Sequence, residues 1–220
     1  MSPPCVRTAQ HTRCKLVQGL SLLRTGAADR RAGAALFDRH FASIRRFFIN
    51  KACSESEVEE LVQRSFVAAL ESAERFRGEA SVKTWLISIA RNIQREWIRE
   101  VMREAVELVE PDLMCSERLG PGVSTGLDVQ REQQILLTAL RRLPIEQQTL
   151  LELFYWEELT ASELAEVFGV PEGTIRTRLR KAKLDLRGTI DALSRTPEEL
   201  DSTRSGLEGW ARGLRDRLAV

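Results

Sequence analysis

The chain has 220 residues, enough for one large domain or two small ones, and 43% of them are apolar, enough for packed cores. Its 33 basic and 32 acidic residues leave a formal net charge of +1, which excludes a protein that grips nucleic acid over its whole surface and confines any such contact to part of the chain. No apolar run approaches the roughly 18 residues that a membrane span needs, and Leu16 to Leu23 is too short and too interrupted for a signal-peptide core, so no membrane insertion and a cytoplasmic location are expected.

Cys5, Cys14, Cys53 and Cys115 lie far apart with no CxxC pair, so reduced thiols are expected. His11 and Cys14 form an HxxC with Cys5 nearby, but a fourth ligand is not evident and no metal is expected. With only His11 and His40 and no Gly-rich phosphate loop, there is little on which to build catalysis. No catalytic residue and no cofactor is therefore expected.

Residues 1–28 are polar and unpatterned and read as a mobile tail. From Arg31 to Val101 the apolar period is helical. Leu36, Phe37, Phe41, Ile44, Phe47 and Phe48 stripe a first helix. Ser54 and Glu57 form a capping box for a second, striped by Val58, Leu61, Val62, Phe66, Ala69 and Leu70. Phe76 to Ser81 breaks the period at Gly78, and a third helix follows with Trp85, Leu86, Ile89, Ile93, Trp97 and Val101 inward. Three such helices bury one core, giving a first domain at 29–103.

Between 104 and 128 the periodicity fails, and Pro111, Gly120, Pro121, Gly122, Ser124 and Gly126 mark a flexible linker. A second helical domain occupies 129–191. Ile135, Leu136, Ala139, Leu140 and Leu143 line its first helix, and Pro144 opens the next, with Leu150, Leu151 and Phe154. Thr160 and Glu163 then make a capping box, Gly169 stops that helix, and Pro171 suits the first turn of another. On this last helix Ile175, Leu179, Ala182 and Leu186 recur at helical spacing, while Arg176, Thr177, Arg178, Arg180, Lys181 and Lys183 load the other face. Two short helices about a tight turn, the second apolar behind and cationic in front, fit the DNA major groove as a helix-turn-helix; the plain alternative is a solvated basic face. Residues 192–220 form an extension in which Thr196 and Glu199 cap a marginal amphipathic helix carrying Leu207, Trp210, Ala211, Leu214 and Leu218. Strand signals of weight are absent. The fold class is all-α: two small helical domains on a flexible linker, the second with a helix-turn-helix.

Three stretches in this order, EELVQRSFVAAL (59–70), RFRGEASVKTWLISIARN (75–92) and LRRLPIEQQTLLELFYWEELTASELAEVFGVPEGTIRTRLRKAK (140–183), resemble the extracytoplasmic-function (group 4) branch of bacterial sigma-70 sigma factors. The resemblance spans Ala34 to Ile190, with 34–101 similar to sigma region 2 and 130–190 to region 4. It implies an RNA polymerase subunit that selects promoters and starts strand opening. The implied partners are core polymerase (β′ clamp helices and β flap), promoter DNA and an anti-sigma factor.

The resemblance also implies site residues. Polymerase docking falls on Glu59, Glu60, Leu61, Val62, Gln63 and Phe66, although the helical stripe places Phe66 in the core first. The −10 element falls to Phe76, Arg77, Gly78, Ser81, Lys83 and Thr84, with Trp85 behind them as core, and to Arg91, Asn92 and Arg95 further along the helix. The −35 element falls to Arg176, Thr177, Arg178, Arg180, Lys181 and Lys183. Arg64, Val82 and Arg180 depart from the family's usual acidic, aromatic and apolar or aromatic residues. A stand-alone helix-turn-helix regulator is the alternative function; it leaves 34–101 without a purpose. The acidic run Glu55 to Glu60 and the basic run Arg176 to Lys183 are further expected to meet in a closed free form.

Overall fold

A computed structural model describes residues 27–104, 115–119 and 131–193, together with Gly209, Gly213 and Arg215. The described residues form seven α-helices and no named strand. In chain order these are α1 (Ala27–Ile49), α2 (Glu55–Ser72), α3 (Val82–Glu104), α4 (Arg131–Arg142), α5 (Ile145–Tyr155), α6 (Ala161–Phe168) and α7 (Glu172–Leu193).

Helices α1, α2 and α3 pack on one another around Leu36, Ile44, Phe48, Val58, Leu61, Leu86 and Ile98. The expected capping box starts α2: Ser54 Oγ accepts from the Glu57 amide, and the Glu57 carboxylate accepts from the Ser54 amide. Such a cap stabilises a helix by about 1 kcal/mol. At the head of α3 a second cap forms, where the Thr84 amide donates to Ser81 Oγ at 3.0 Å.

In the second half, α4, α5 and α6 pack against α7. Thr160 and Glu163 cap α6 reciprocally, as the spacing predicts. Gly169 ends α6 at φ +65°, the left-handed conformation that glycine adopts without strain. The chain turns there, and α7 buries Ile175, Leu179, Ala182, Leu186 and also Ile190.

Three findings depart from the expected layout. Within the stretch read as linker, residues 115–119 are fastened to the second half. Ser116 Oγ donates to Gln148 Oε1 at 2.6 Å, and Arg141 donates to the Ser116 carbonyl at 2.8 Å. Moreover α3 and α5 are buried on more than one side. Beside its expected stripe, α3 buries Thr84, Ile87, Arg91 and Gln94, which share a helical face, and α5 buries Gln148, Thr149 and Glu152 as well as its leucines. The cause is direct packing of the two halves, α3 against α6 and α1 against α5. The first helix starts at Ala27, inside the stretch read as tail. The rest of that tail and the extension helix lie outside the described residues, except that Arg215 pairs with Glu158 at 2.9 Å.

Candidate nucleic-acid interface

The apolar stripe of α7 faces its own core, which turns Arg176, Thr177, Arg178, Arg180 and Lys181 outward. Arg176 is 72% exposed in its side chain and is steadied by Glu172, one turn back, at 2.6 Å. Lys181 is steadied in the same way by Asp185 at 3.3 Å. These exposed pairs are weak and can exchange for phosphate or a base edge. Lys183 stands apart from the other five: its ammonium lies over the Phe154 ring, 4.1 Å from the centroid, and is half-buried at the flank of the helix.

The segment expected at the −10 element divides. Arg77 and Asn92 are exposed, and Gly78 takes φ +72° at the turn. Phe76 stacks on Trp85 with centroids 4.8 Å apart, so both are half-buried rather than free platforms. Ser81 caps α3, and Thr84, hydrogen-bonded to it at 2.7 Å, is buried. A cleft of about 180 Å³ opens between this loop, Trp85 and Ser88, and Glu166 of α6 forms part of its wall. Val82, where the family commonly has an aromatic, is buried.

Lys83 and Arg91 are taken up by the second half. Lys83 donates to the Glu157 carbonyl at 2.8 Å and pairs with its carboxylate at 2.7 Å. Arg91 donates to Glu146 at 2.5 Å, and its guanidinium lies 4.6 Å from the Phe168 ring centroid. Arg95 is half-buried.

These contacts belong to a larger polar seam. Glu157 also accepts from Arg46 at 2.8 Å and from Ser43 at 2.7 Å. Burial alone pushes its carboxyl up, but Arg46 and Lys83 outweigh burial and hold it below the usual range. Deeper in, Glu152 pairs with Lys51 and accepts from Asn50 and Gln148, each at 2.8 Å. Burial pushes the Lys51 ammonium down, and Glu152 opposes that shift. Arg141 and Gln148 donate to the Asn50 carbonyl at 2.7 and 3.0 Å, which satisfies backbone just past the end of α1. His40 lies beside this seam, its pKa lowered to about 4 by burial and then by Arg39 and Lys83.

The closed form thus exists, but not through the expected runs. Glu55 pairs with Arg45 at 3.1 Å and Arg64 with Glu60 at 3.9 Å, while Arg176 and Lys181 hold local partners. Local i,i+4 and neighbouring-helix partners are closer than the opposite half. The closing residues Arg46, Lys51, Glu152 and Glu157 carry no sequence signal beyond being charges next to apolar runs.

A third surface lies on α2. Leu61, Val62 and Phe66, expected as contacts, are 1%, 3% and 7% exposed and belong to the core, because α2 turns that stripe toward α1 and α3. Glu59, Glu60 and Gln63 are exposed as expected. Beside them the sequence reading missed Val67 and Leu70, 46% and 44% exposed, and Phe37, which stacks on Phe66 at 4.8 Å. Leu70 and Phe37 counted there as core, but α2 leaves Val67 and Leu70 outside, on the side that carries Glu60 and Gln63.

Among the described residues no three His, Cys, Asp or Glu side chains are grouped to hold a metal ion, and no helix is long and apolar enough to cross a membrane.

A helical pair ending in an exposed cationic helix, preceded by a three-helix unit, is the build of a helix-turn-helix DNA-binding protein. The model of Sigma-70 region 2 matches residues 36–104, and that of Sigma-70, region 4 matches 133–186. The chain belongs to the extracytoplasmic-function (ECF) branch of the sigma-70 family and is an RNA polymerase sigma factor. It is 32% identical over 160 residues to the ECF RNA polymerase sigma factor RpoE of Cereibacter sphaeroides, covering 72% of this chain and 86% of that one. It is 28% identical over 180 residues to the ECF RNA polymerase sigma-E factor of Haemophilus influenzae, covering 77% and 93%. The fold is similar to that of CnrH, solved in complex with the cytosolic domain of CnrY, with a TM-score of 0.58 at 21% identity over 83% of this chain and 98% of that one. It is also similar to the sigma factor RpoE of Bartonella quintana, solved with the anti-sigma factor NepR, with a TM-score of 0.55 at 22% identity over 72% and 96%.

Proposed function

We propose that residues 29–103 and 129–191 are two functional domains that share the work of initiation. The recognition helix α7 reads the −35 element as duplex through Arg176, Thr177, Arg178, Arg180 and Lys181, while Lys183 braces its flank. The loop 76–81 and the track Lys83, Arg91, Asn92 and Arg95 take the melted −10 strand, with the cleft beside Trp85 sized for an unstacked base. Core polymerase docks on the outer face of α2, through Glu59, Glu60, Gln63 and the exposed Val67 and Leu70. The chain supplies no bond-making chemistry; that belongs to the polymerase, beside which it acts in the cytoplasm. An anti-sigma factor is a fitting partner, since the two solved relatives named above were captured with proteins of their own.

The observation that carries this reading is the separation of faces. The cationic front of α7 and the acidic-apolar outer face of α2 are both exposed, and neither is used by the core. The polymerase assignment is tested by Glu60→Lys with Gln63→Ala. Pull-down of core enzyme should be abolished while helical content and melting temperature stay at wild-type values. Normal pull-down by that variant would remove the α2 face from the account.

A further inference from the structure

Arg176 does not lie loose on the front of α7. Glu172, the first residue of that helix, accepts on one oxygen, Oε1, from both Arg176 Nε at 3.1 Å and Arg176 Nη2 at 2.6 Å. A guanidinium can grip a pair of acceptors by its side edge, Nε with Nη2, or by its end edge, Nη1 with Nη2. Glu172 takes the side edge. The end edge is left to solvent on a side chain that is 72% exposed, and its fork matches O6 and N7 of guanine in the major groove. The carboxylate is itself held, because the amides of a helix's first turn favour a negative charge there. Its place is also the right one, since the N-terminal part of a recognition helix is what meets base edges. The neighbouring cations are held differently. Arg178 meets Glu146 at 3.9 Å, beyond hydrogen-bond reach, and Lys181 meets Asp185 at 3.3 Å as a point charge with no edges to allot.

Building on the assignment of α7 to the −35 duplex, we infer that Glu172 is a positioning residue that sets how sharply the chain selects its promoters. It presents the end edge of Arg176 to a guanine and, by offsetting the positive charge, keeps Arg176 from settling on a phosphate. An exposed pair of this kind is weak, but guanine does not compete for it, because base and carboxylate use different edges. Orientation and charge then act together. An arginine already held by its side edge loses less rotamer freedom when it meets the base. A free arginine gains from any nearby phosphate, whatever the sequence, by releasing counterions, and Glu172 cancels the charge that drives that gain. Phosphate contacts position a protein on the duplex, and base contacts specify the site. A carboxylate among the cations of α7 therefore lowers affinity for every duplex and raises the preference among them. Arg178, Arg180 and Lys181 remain to hold the backbone.

The test uses holoenzyme assembled from core polymerase and the full chain, on a duplex promoter library randomised through the −35 region, with bound sequences read by sequencing. Arg176→Ala locates the position that Arg176 reads, where guanine should be the enriched base. At that position Glu172→Ala should cut the enrichment of guanine roughly fivefold, within the range one bidentate pair supplies, and leave the other positions alone. Glu172→Gln should keep most of the enrichment, because its amide oxygen still accepts from the side edge. Charge is read separately, by binding of the full chain to a random-sequence duplex across a salt series. Both Glu172 variants should bind more tightly at low salt, and the slope of log affinity against log salt should steepen by about one. In an Arg176→Ala background Glu172→Ala should no longer steepen it. Unchanged guanine enrichment in Glu172→Ala, where Arg176→Ala loses it, would overturn the inference and leave the −35 reading standing. Equal loss in Glu172→Gln and Glu172→Ala would show that charge and not the held edge sets the preference. A slope that steepens as much without Arg176 would make Glu172 a loose surface charge. Either of these, or a preferred base other than guanine, also overturns it. If Arg176→Ala leaves every position as in the wild type, it is the assignment of Arg176 to the −35 element that fails, and the role of Glu172 with it.

Discussion

Replacement of Glu152 by Leu interrogates the centre of the seam. Lys51 and Glu152 are 0% and 2% exposed in their side chains, and Glu152 also accepts from Asn50 and Gln148. Removing the carboxylate strands a buried ammonium and two buried amides. Breaking one partner of a buried pair costs about 3–5 kcal/mol, against under about 1 kcal/mol for an exposed pair. In a protein of this size each kcal/mol lowers Tm by roughly 2–4 °C, so calorimetry on the full chain should show a fall of roughly 6–20 °C. Burial already holds the Lys51 pKa below its ordinary value, with Glu152 opposing. Without Glu152 that depression deepens. The folded form then binds a proton less readily than the unfolded chain, and the loss of stability should grow as pH falls below the ordinary lysine range. Adding Lys51→Met should recover most of the loss, because a buried ion pair is close to neutral against an apolar pair of similar volume. A Glu152→Leu cost below about 1 kcal/mol, or a double variant whose cost is the sum of the singles, would refute a coupled, buried Lys51–Glu152 pair at the centre of the seam.

Arg176→Ala and Arg178→Ala should each weaken −35 duplex binding by about 1–3 kcal/mol where the arginine meets a base, with Tm unchanged; wild-type transcription from a cognate promoter by both variants would refute the recognition face. His40 has its pKa lowered to about 4 from 6.5, so the folded form binds fewer protons than the unfolded chain. The stability that His40 contributes is complete above pH 6.5 and drains as pH falls toward 4, and His40→Asn should flatten the Tm-against-pH curve in that window. Gly169→Ala should cost about 1–2 kcal/mol, a purely backbone effect, because φ is +65° and an added Cβ meets nothing within 4 Å. A Tm unchanged by that substitution would argue against the left-handed turn.

Local chemistry made much of this fold readable before any coordinates. The Ser54–Glu57 and Thr160–Glu163 boxes and the stop at Gly169 act through neighbours within four residues, and each forms as the spacing implies. The stripe of α7 was equally legible, because one face packs and the other is solvated. The seam was not. Thr84, Ile87, Arg91 and Gln94 recur on one face of α3, but three of the four are polar and read as solvent-facing. Glu152 and Glu157 find Lys51 and Arg46 across about a hundred residues of chain, a pairing that no local pattern encodes. The proposed docking face was half legible: the glutamates of α2 announce themselves and the stripe places Phe66 inward, but the same period counts Leu70 inward, where the structure turns it and Val67 out.

The most direct measurement is the distance between the two halves in the free protein and on polymerase. Labels at Asp38 and Ser162, both exposed, in a chain without its native cysteines, report it by single-molecule energy transfer. Closure requires one short distance in the free chain, which lengthens when core polymerase is added and stays short when duplex DNA alone is added. A long distance in the free chain, or one that polymerase does not change, would contradict it.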